Sequence, residues 1–195
     1  MLLATKETAE RIIEAAIQLI SEKGYTAATT KAIAELAQVN EVTIFRHFGN
    51  KQGILKSIVD RFSYNPMLQK MMREDVTWDL ATDLTHFSMK YFEYMMSIKD
   101  LVMIGFKESM QFPEISSEIA NVPLLFKNEL IHYFKEMHHK GKIRDINFEA
   151  AALSLIAINF GHFISRARLG TAVSTLPTEE LIQTSVQIFS RGLIS

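Results

Sequence analysis

A chain of 195 residues with 48% apolar content can bury one sizeable core or two small ones, and its formal charge of −1 excludes a domain that binds nucleic acid through bulk positive charge. The absence of cysteine excludes disulfides, thiolate metal sites and a cysteine nucleophile, and suits a reducing cytoplasm, the expected location. No uninterrupted apolar run approaches the roughly 18 residues of a membrane helix, since Leu153 to Ile164 is broken by Asn159 and His162, and the start, MLLATKETAERII, turns charged without a signal-peptide core.

The first helix is predicted over residues 5–23, where Ala9, Ile12, Ile13, Ala16, Ile17 and Ile20 recur at the spacing of one buried stripe. Gly24 follows as its C-terminal stop. Two short helices come next, over residues 30–37 and 41–48, with Asn40 as N-cap of the second. Ile44 and Phe48, four apart, face inward, which leaves Thr43, Arg46 and His47 pointing outward together. Two short helices joined by a tight turn, the second offering polar and cationic groups, make a helix-turn-helix. That shape also occurs without DNA contact. Asn50 can cap a long fourth helix reaching the low seventies, in which Pro66 predicts a break near Tyr64-Asn65.

From Thr77, a predicted N-cap, the chain reads as helices over residues 77–98 and 100–111, the latter ended by Phe112-Pro113. A turn of helix can follow before Pro123 opens the next helix, which runs to Lys140 and stops at Gly141. The last two helices span residues 147–169, closed by Gly170, and residues 177–191, closed by Gly192. Strand-like alternation is absent, so the predicted fold is all-α with about nine helices. The predicted division is a head over residues 1–50 and a body over residues 51–195. Acids and bases balance in the head, but the acids cluster on the first helix while Lys31, Arg46 and Lys51 flank the reading helix. Placement outweighs the sum, because phosphate contacts release counterions locally.

The run Thr29-Thr30…Ile33-Ala34…Ala37…Val39-Asn40…Thr43-Ile44-Phe45-Arg46-His47-Phe48…Lys51 resembles the DNA-binding signature of the TetR family of bacterial transcriptional repressors. The resemblance covers about the first quarter of the chain. Three positions depart from the family pattern. Gln38 stands where glycine is usual, putting a Cβ at a turn position that favours positive φ. Val42 replaces a small residue, and Phe45 replaces a tyrosine whose hydroxyl commonly meets a phosphate. More weakly, the tail resembles the family's dimerising helix pair, through Gly141…Arg144, Ala151 and Pro177…Glu180-Leu181…Arg191-Gly192-Leu193.

What the resemblance implies is a ligand-responsive repressor that binds a palindromic double-stranded operator as a homodimer through its last two helices, without a membrane partner or cofactor. The implied DNA-binding residues are Thr29, Thr30, Lys31, Asn40, Glu41, Val42, Thr43, Phe45, Arg46, His47 and Lys51. By their chemistry Arg46 can read guanine or clamp a phosphate, Thr43 can meet a thymine methyl or a phosphate oxygen, and Val42 can meet a thymine methyl. His47 and Lys51 are expected at phosphates, and Thr29 or Thr30 as the cap of a helix aimed at one. Phe45 is expected against sugars or as support for the helix.

Ten methionines and thirteen phenylalanines are many for this length, and Met89, Met95, Met96, Met103, Met110, Phe87, Phe92 and Phe106 concentrate in the middle helices. Plain core formation accounts for any one of them; together they fit a cavity for a small apolar or amphipathic effector. Its expected lining is Phe87, Tyr91, Met95, Met103, Phe106, Met110, Phe126 and Phe163, with Trp78, Asn159 and His162 as polar orienting groups. Neither a metal nor an enzyme is expected. His132, His138 and His139 do not share a helix face, and no phosphate loop or catalytic motif occurs. The alternative function is a helical small-molecule-binding protein whose head has lost DNA binding, which Gln38, Val42 and Phe45 favour.

Overall fold

The computed structural model describes residues 2–63, 66–108 and 120–194, and among these it is wholly helical. The elements are α1 (Leu2–Lys23), α2 (Thr30–Leu36), α3 (Glu41–Phe48), α4 (Lys51–Ser63), α5 (Pro66–Glu74), α6 (Leu80–Ser97), α7 (Lys99–Glu108), α8 (Asn121–His139), α9 (Phe148–Leu169) and α10 (Thr178–Arg191). The expected long fourth helix is thus two, with α5 opening at Pro66, where a missing N–H costs nothing. Residues 64–65 and the segment expected to hold Met110, Phe112-Pro113 and a turn of helix lie outside the described residues.

The chain forms two compact units: Met1–Tyr64 with Ile98–Asn121, and Asn65–Ser97 with Val122–Ser195. The boundary expected at residues 50 and 51 sets off the reading motif, but the compact unit around that motif runs further. Ile54, Leu55 and Ile58 of α4, and Leu101 and Ile104 of α7, join its core.

In the first unit α1 is the spine, with α2, α4 and α7 packed on it and α3 against both α2 and α4. Ile12, Ala16, Ile33, Ile44 and Ile58 are wholly buried, each large side chain contributing about 1.5–3 kcal/mol. Asn50 caps α4 by accepting from Gly53 N at 2.8 Å. Gly53 itself is required by the turn from α3, because a Cβ there would stand 1.8 Å from Phe48 O. Gly53→Ala is expected to cost about 1–3 kcal/mol, measured by urea unfolding. A loss under ~0.5 kcal/mol would show that α3 and α4 part without strain.

In the second unit α6 is central and packs against α5, α9 and α10. Its core is aromatic: Phe87, Tyr91, Phe126, Phe134 and Phe163 are wholly buried, and Tyr133 nearly so. Tyr133 meets Phe87 edge-on at 5.3 Å, while Tyr91 stacks on Phe126 at 4.5 Å. Arg73 of α5 grips the buried Glu129 of α8 through two 2.8 Å bonds. Between α8 and α9 the chain turns at Gly141 (φ 68), and Arg144 N donates to Leu193 O at 3.0 Å, fastening the end of the chain.

Thr77 does not cap α6 as expected. Asp79 does, accepting from Thr82 N at 2.9 Å, while the Thr77 hydroxyl donates to Asp83. The reason is the buried Asp83 carboxylate, a stronger acceptor that draws the whole approach segment onto itself. By length and composition α9 could cross a bilayer, although Asn159 and His162 interrupt its apolar run. Its apolar circumference is divided. Ala152, Leu155 and Phe163 are buried in the unit, and Leu153 and Ile158 remain exposed.

Candidate functional site

The turn ahead of α3 decides where the reading helix points. Gln38 takes φ 55, so the backbone there is the left-handed one that its Cβ disfavours. Around it Val39 N donates to Ala34 O at 3.0 Å and Gln38 N to Glu35 O at 3.2 Å, the paired bonds of a Schellman stop. Two positions on, Asn40 is extended (φ −75, ψ 143) and its Oδ1 accepts from Val42 N at 2.9 Å, starting α3 as predicted. Gln38→Gly is expected to raise stability by about 1 kcal/mol, seen as a higher thermal midpoint. A lower midpoint would mean that the Gln38 side chain makes up for its backbone.

Ile44 is buried and Phe48 packs on the head core, so the opposite face of α3 is free. On that face Val42, Phe45 and Arg46 are exposed and Thr43 is half-buried. Thr29 caps α2 by accepting from Ala32 N at 3.1 Å, and Lys31 is exposed beside it. Thr30 and Glu41, both expected at DNA, hold each other: Thr30 Oγ1 donates to Glu41 Oε1 at 2.6 Å, latching the start of α2 to the start of α3. His47 packs on Phe48 with ring centroids 5.9 Å apart, and its Nε2 is shielded from solvent and makes no hydrogen bond. Lys51 Nζ donates to Thr26 O at 3.2 Å and lies 4.2 Å over the Tyr25 ring. Its ammonium therefore braces the loop after α1.

The residues expected to line an effector cavity fall in both compact units. Phe87, Tyr91, Met95, Phe126 and Phe163 are all buried in the second unit. Met103 and Phe106 lie on α7 in the first unit, and Phe106 is half exposed. Trp78, expected as an orienting group, lies in the second unit as well. It sits before α6 at φ 62, its ring stacked on Tyr133 at 5.9 Å and covered by the Lys140 ammonium at 4.4 Å. Asn159 spends its amide on Ser88 Oγ and Leu155 O, both at 3.0 Å, joining α9 to α6. His162 stacks on Phe92 at 4.9 Å and its Nε2 lies 3.1 Å from Thr178 Oγ1. Burial, and then the neighbouring Arg166, push its pKa below the usual imidazole value, which favours the neutral ring. It also borders a cleft of about 210 Å³ with Ile158, Arg166 and Leu181.

Two features had no signal in the sequence. Tyr91 keeps a hydroxyl that is buried without a hydrogen-bond partner, and burial pushes its pKa well up, so it is a protonated donor with nothing to donate to. Asp83 gathers four bonds, from Thr77 N and Oγ1, Trp78 N and Tyr133 Oη, at 2.6–2.9 Å. The nearest donors stand five and six residues upstream and the last is fifty residues downstream, beyond any local pattern.

The model of the bacterial regulatory proteins of the TetR family matches residues 12–58, from the middle of α1 through most of α4. The HTH-type transcriptional regulator YvkB of Bacillus subtilis is 37% identical over 188 residues, covering 96% of this chain and 98% of its own. The HTH-type transcriptional regulator UidR of Escherichia coli is 24% identical over 162 residues, 79% of each chain. Among solved structures, NalD of Pseudomonas aeruginosa, the secondary repressor of the MexAB-OprM multidrug efflux pump, superposes with a TM-score of 0.75. That match covers 97% of this chain and 98% of NalD at 17% identity, a likeness of fold.

Proposed function

Because the chain belongs to the TetR family of bacterial helix-turn-helix transcriptional regulators, we propose that it is a ligand-responsive repressor acting as a homodimer in the cytoplasm. The observation that carries this reading is α3, capped by Asn40, anchored by the buried Ile44, and presenting Val42, Phe45 and Arg46 to solvent. Paired by a two-fold axis, two such helices enter successive major grooves about 34–36 Å apart on a near-palindromic operator. Arg46 reads a guanine edge; Lys31, Lys51 and Thr43 meet the backbone. The exposed Leu153 and Ile158 of α9 and Ile188 of α10 support a dimer seam formed by the last two helices.

The orphaned Tyr91 hydroxyl, stacked on Phe126, supports an interior site for a small, largely apolar effector carrying one hydrogen-bond acceptor. An effector that prefers the conformation not bound to DNA, by roughly 1–3 kcal/mol, weakens operator binding 5–150-fold. Without effector, Tyr91→Phe is expected to stabilise the protein by about 1 kcal/mol, since the substitution removes a buried donor that has no partner. A destabilised Tyr91→Phe in urea unfolding would mean that the hydroxyl already has its acceptor.

Selection of bound sequences from a random DNA pool at two salt concentrations tests the whole reading. The expected result is an enriched palindrome whose affinity falls steeply with salt. A folded, dimeric protein that enriches nothing would overturn it in favour of a small-molecule-binding protein with a silent head.

A further inference from the structure

The outer face of α3 carries fewer polar reading groups than its sequence offers. Asn40 Oδ1 is spent on the helix cap, Glu41 Oε1 is held by Thr30, and His47 Nε2 is shielded. What stands free is largely apolar: Val42 is 70% exposed and Phe45 47%, beside an exposed Arg46. Val42 and Phe45 are three apart, and Val42 and Arg46 four apart. The three side chains are therefore neighbours on one surface, with Cβ atoms about 5–6 Å apart. Arg46 and the exposed Lys31 give this surface the sign that a phosphate backbone requires. Val42 and Phe45 supply no such charge and little of the head's core. In the major groove the apolar group that distinguishes one base from another is the C5 methyl of a pyrimidine.

We propose that α3 reads a C5-methyl group: each operator half-site sets a methyl-bearing pyrimidine against Val42 and Phe45, next to the guanine read by Arg46. The inference rests on the DNA-binding reading of α3 given above. Recognition is of the methyl itself. Deoxyuridine, which pairs as thymine does, fails at that position, and a cytosine carrying a C5 methyl binds better than plain cytosine.

The test uses the operator obtained by selection and the full-length protein, with affinity read by fluorescence anisotropy. Thymines of one half-site are replaced singly by deoxyuridine, which deletes one methyl and preserves every hydrogen bond of the base pair. One or two positions are expected to lose roughly fourfold in affinity, the value of one buried methyl group. Val42→Ala, at an exposed position, should bind the operator more weakly with an unchanged salt slope, and should no longer distinguish thymine from deoxyuridine there. Exchanging that T·A pair for C·G, and then for C·G with a C5 methyl on the cytosine, should lose affinity and recover about fourfold of it. Deoxyuridine tolerated within twofold at every position, by protein that still binds the operator, would overturn the inference and leave DNA binding intact. Failure to select any operator would instead overturn the DNA-binding reading of α3, and this inference with it.

Discussion

Arg46→Ala is expected to weaken binding to the selected operator by upward of roughly 30-fold, the largest loss from any single change on the reading face. A bidentate arginine–guanine pair is worth about 1–3 kcal/mol, and a two-fold dimer loses it twice. The side chain is exposed on α3 and outside the core, so the loss should come without a change in thermal midpoint. The specific pattern matters more than the size. A base-reading arginine relaxes preference at one position of each half-site and leaves the others alone. A phosphate-binding arginine weakens every sequence alike and lowers the salt slope. An affinity within threefold of the parent protein, on the parent's own operator, would remove Arg46 from the reading head.

Asp83→Ala has the largest expected effect on stability, about 3–5 kcal/mol. The carboxylate is 1% exposed and accepts from two backbone N–H groups and two hydroxyls. Removing it strands the buried Tyr133 hydroxyl, at a cost of about 1–3 kcal/mol, and three part-buried donors of Thr77 and Trp78 besides. One of those donors belongs to Trp78, whose left-handed backbone (φ 62) is held by this bond together with Lys142 Nζ on its carbonyl. Losing the carboxylate frees a residue that is already strained. A domain is stable by only about 5–15 kcal/mol in all, so urea unfolding should show a large fall in midpoint. Asp83→Asn keeps the shape but trades one acceptor for a donor facing other donors, and should fall in between. If Asp83→Ala lost less than ~1 kcal/mol, the network would be ornament rather than support.

Local grammar was readable in this chain, and long-range partnership was not. Asn40, Asn50 and Asn147 each cap the helix they precede, and Gly24, Gly141 and Gly170 each take positive φ at a helix end. Such signals act within a few residues, where sequence distance and spatial distance agree. Periodicity likewise marked Ile12 and Ile44 as inward-facing, and each is wholly buried. Periodicity reports only that a side chain leaves water. It could not tell a residue lining a cavity from one filling the core, nor could it assign Met103 and Phe106 to the head's unit. The Thr30–Glu41 latch and the perch of Lys51 on Tyr25 and Thr26 bridge eleven and twenty-five or more residues. From the sequence, Thr30 and Lys51 look like surface groups awaiting phosphate.

That α7 completes the core of the head has a consequence for how the protein is made. Leu101 and Ile104 belong to the cluster built on Ile12, Ile33 and Ile44, yet residues 65–97 intervene and build the other unit. A ribosome extends the chain by about 5–20 residues per second, so the nascent reading helix waits some seconds for its last apolar cover. The loop to be closed adds little free energy, since each doubling of its length costs about 0.6 kcal/mol, but it slows the search. Folding of this chain is therefore not strictly from front to back. A synonymous codon change that stalls translation between α4 and α7 would leave an open α1 surface exposed to aggregation or proteolysis, while leaving the finished molecule unchanged.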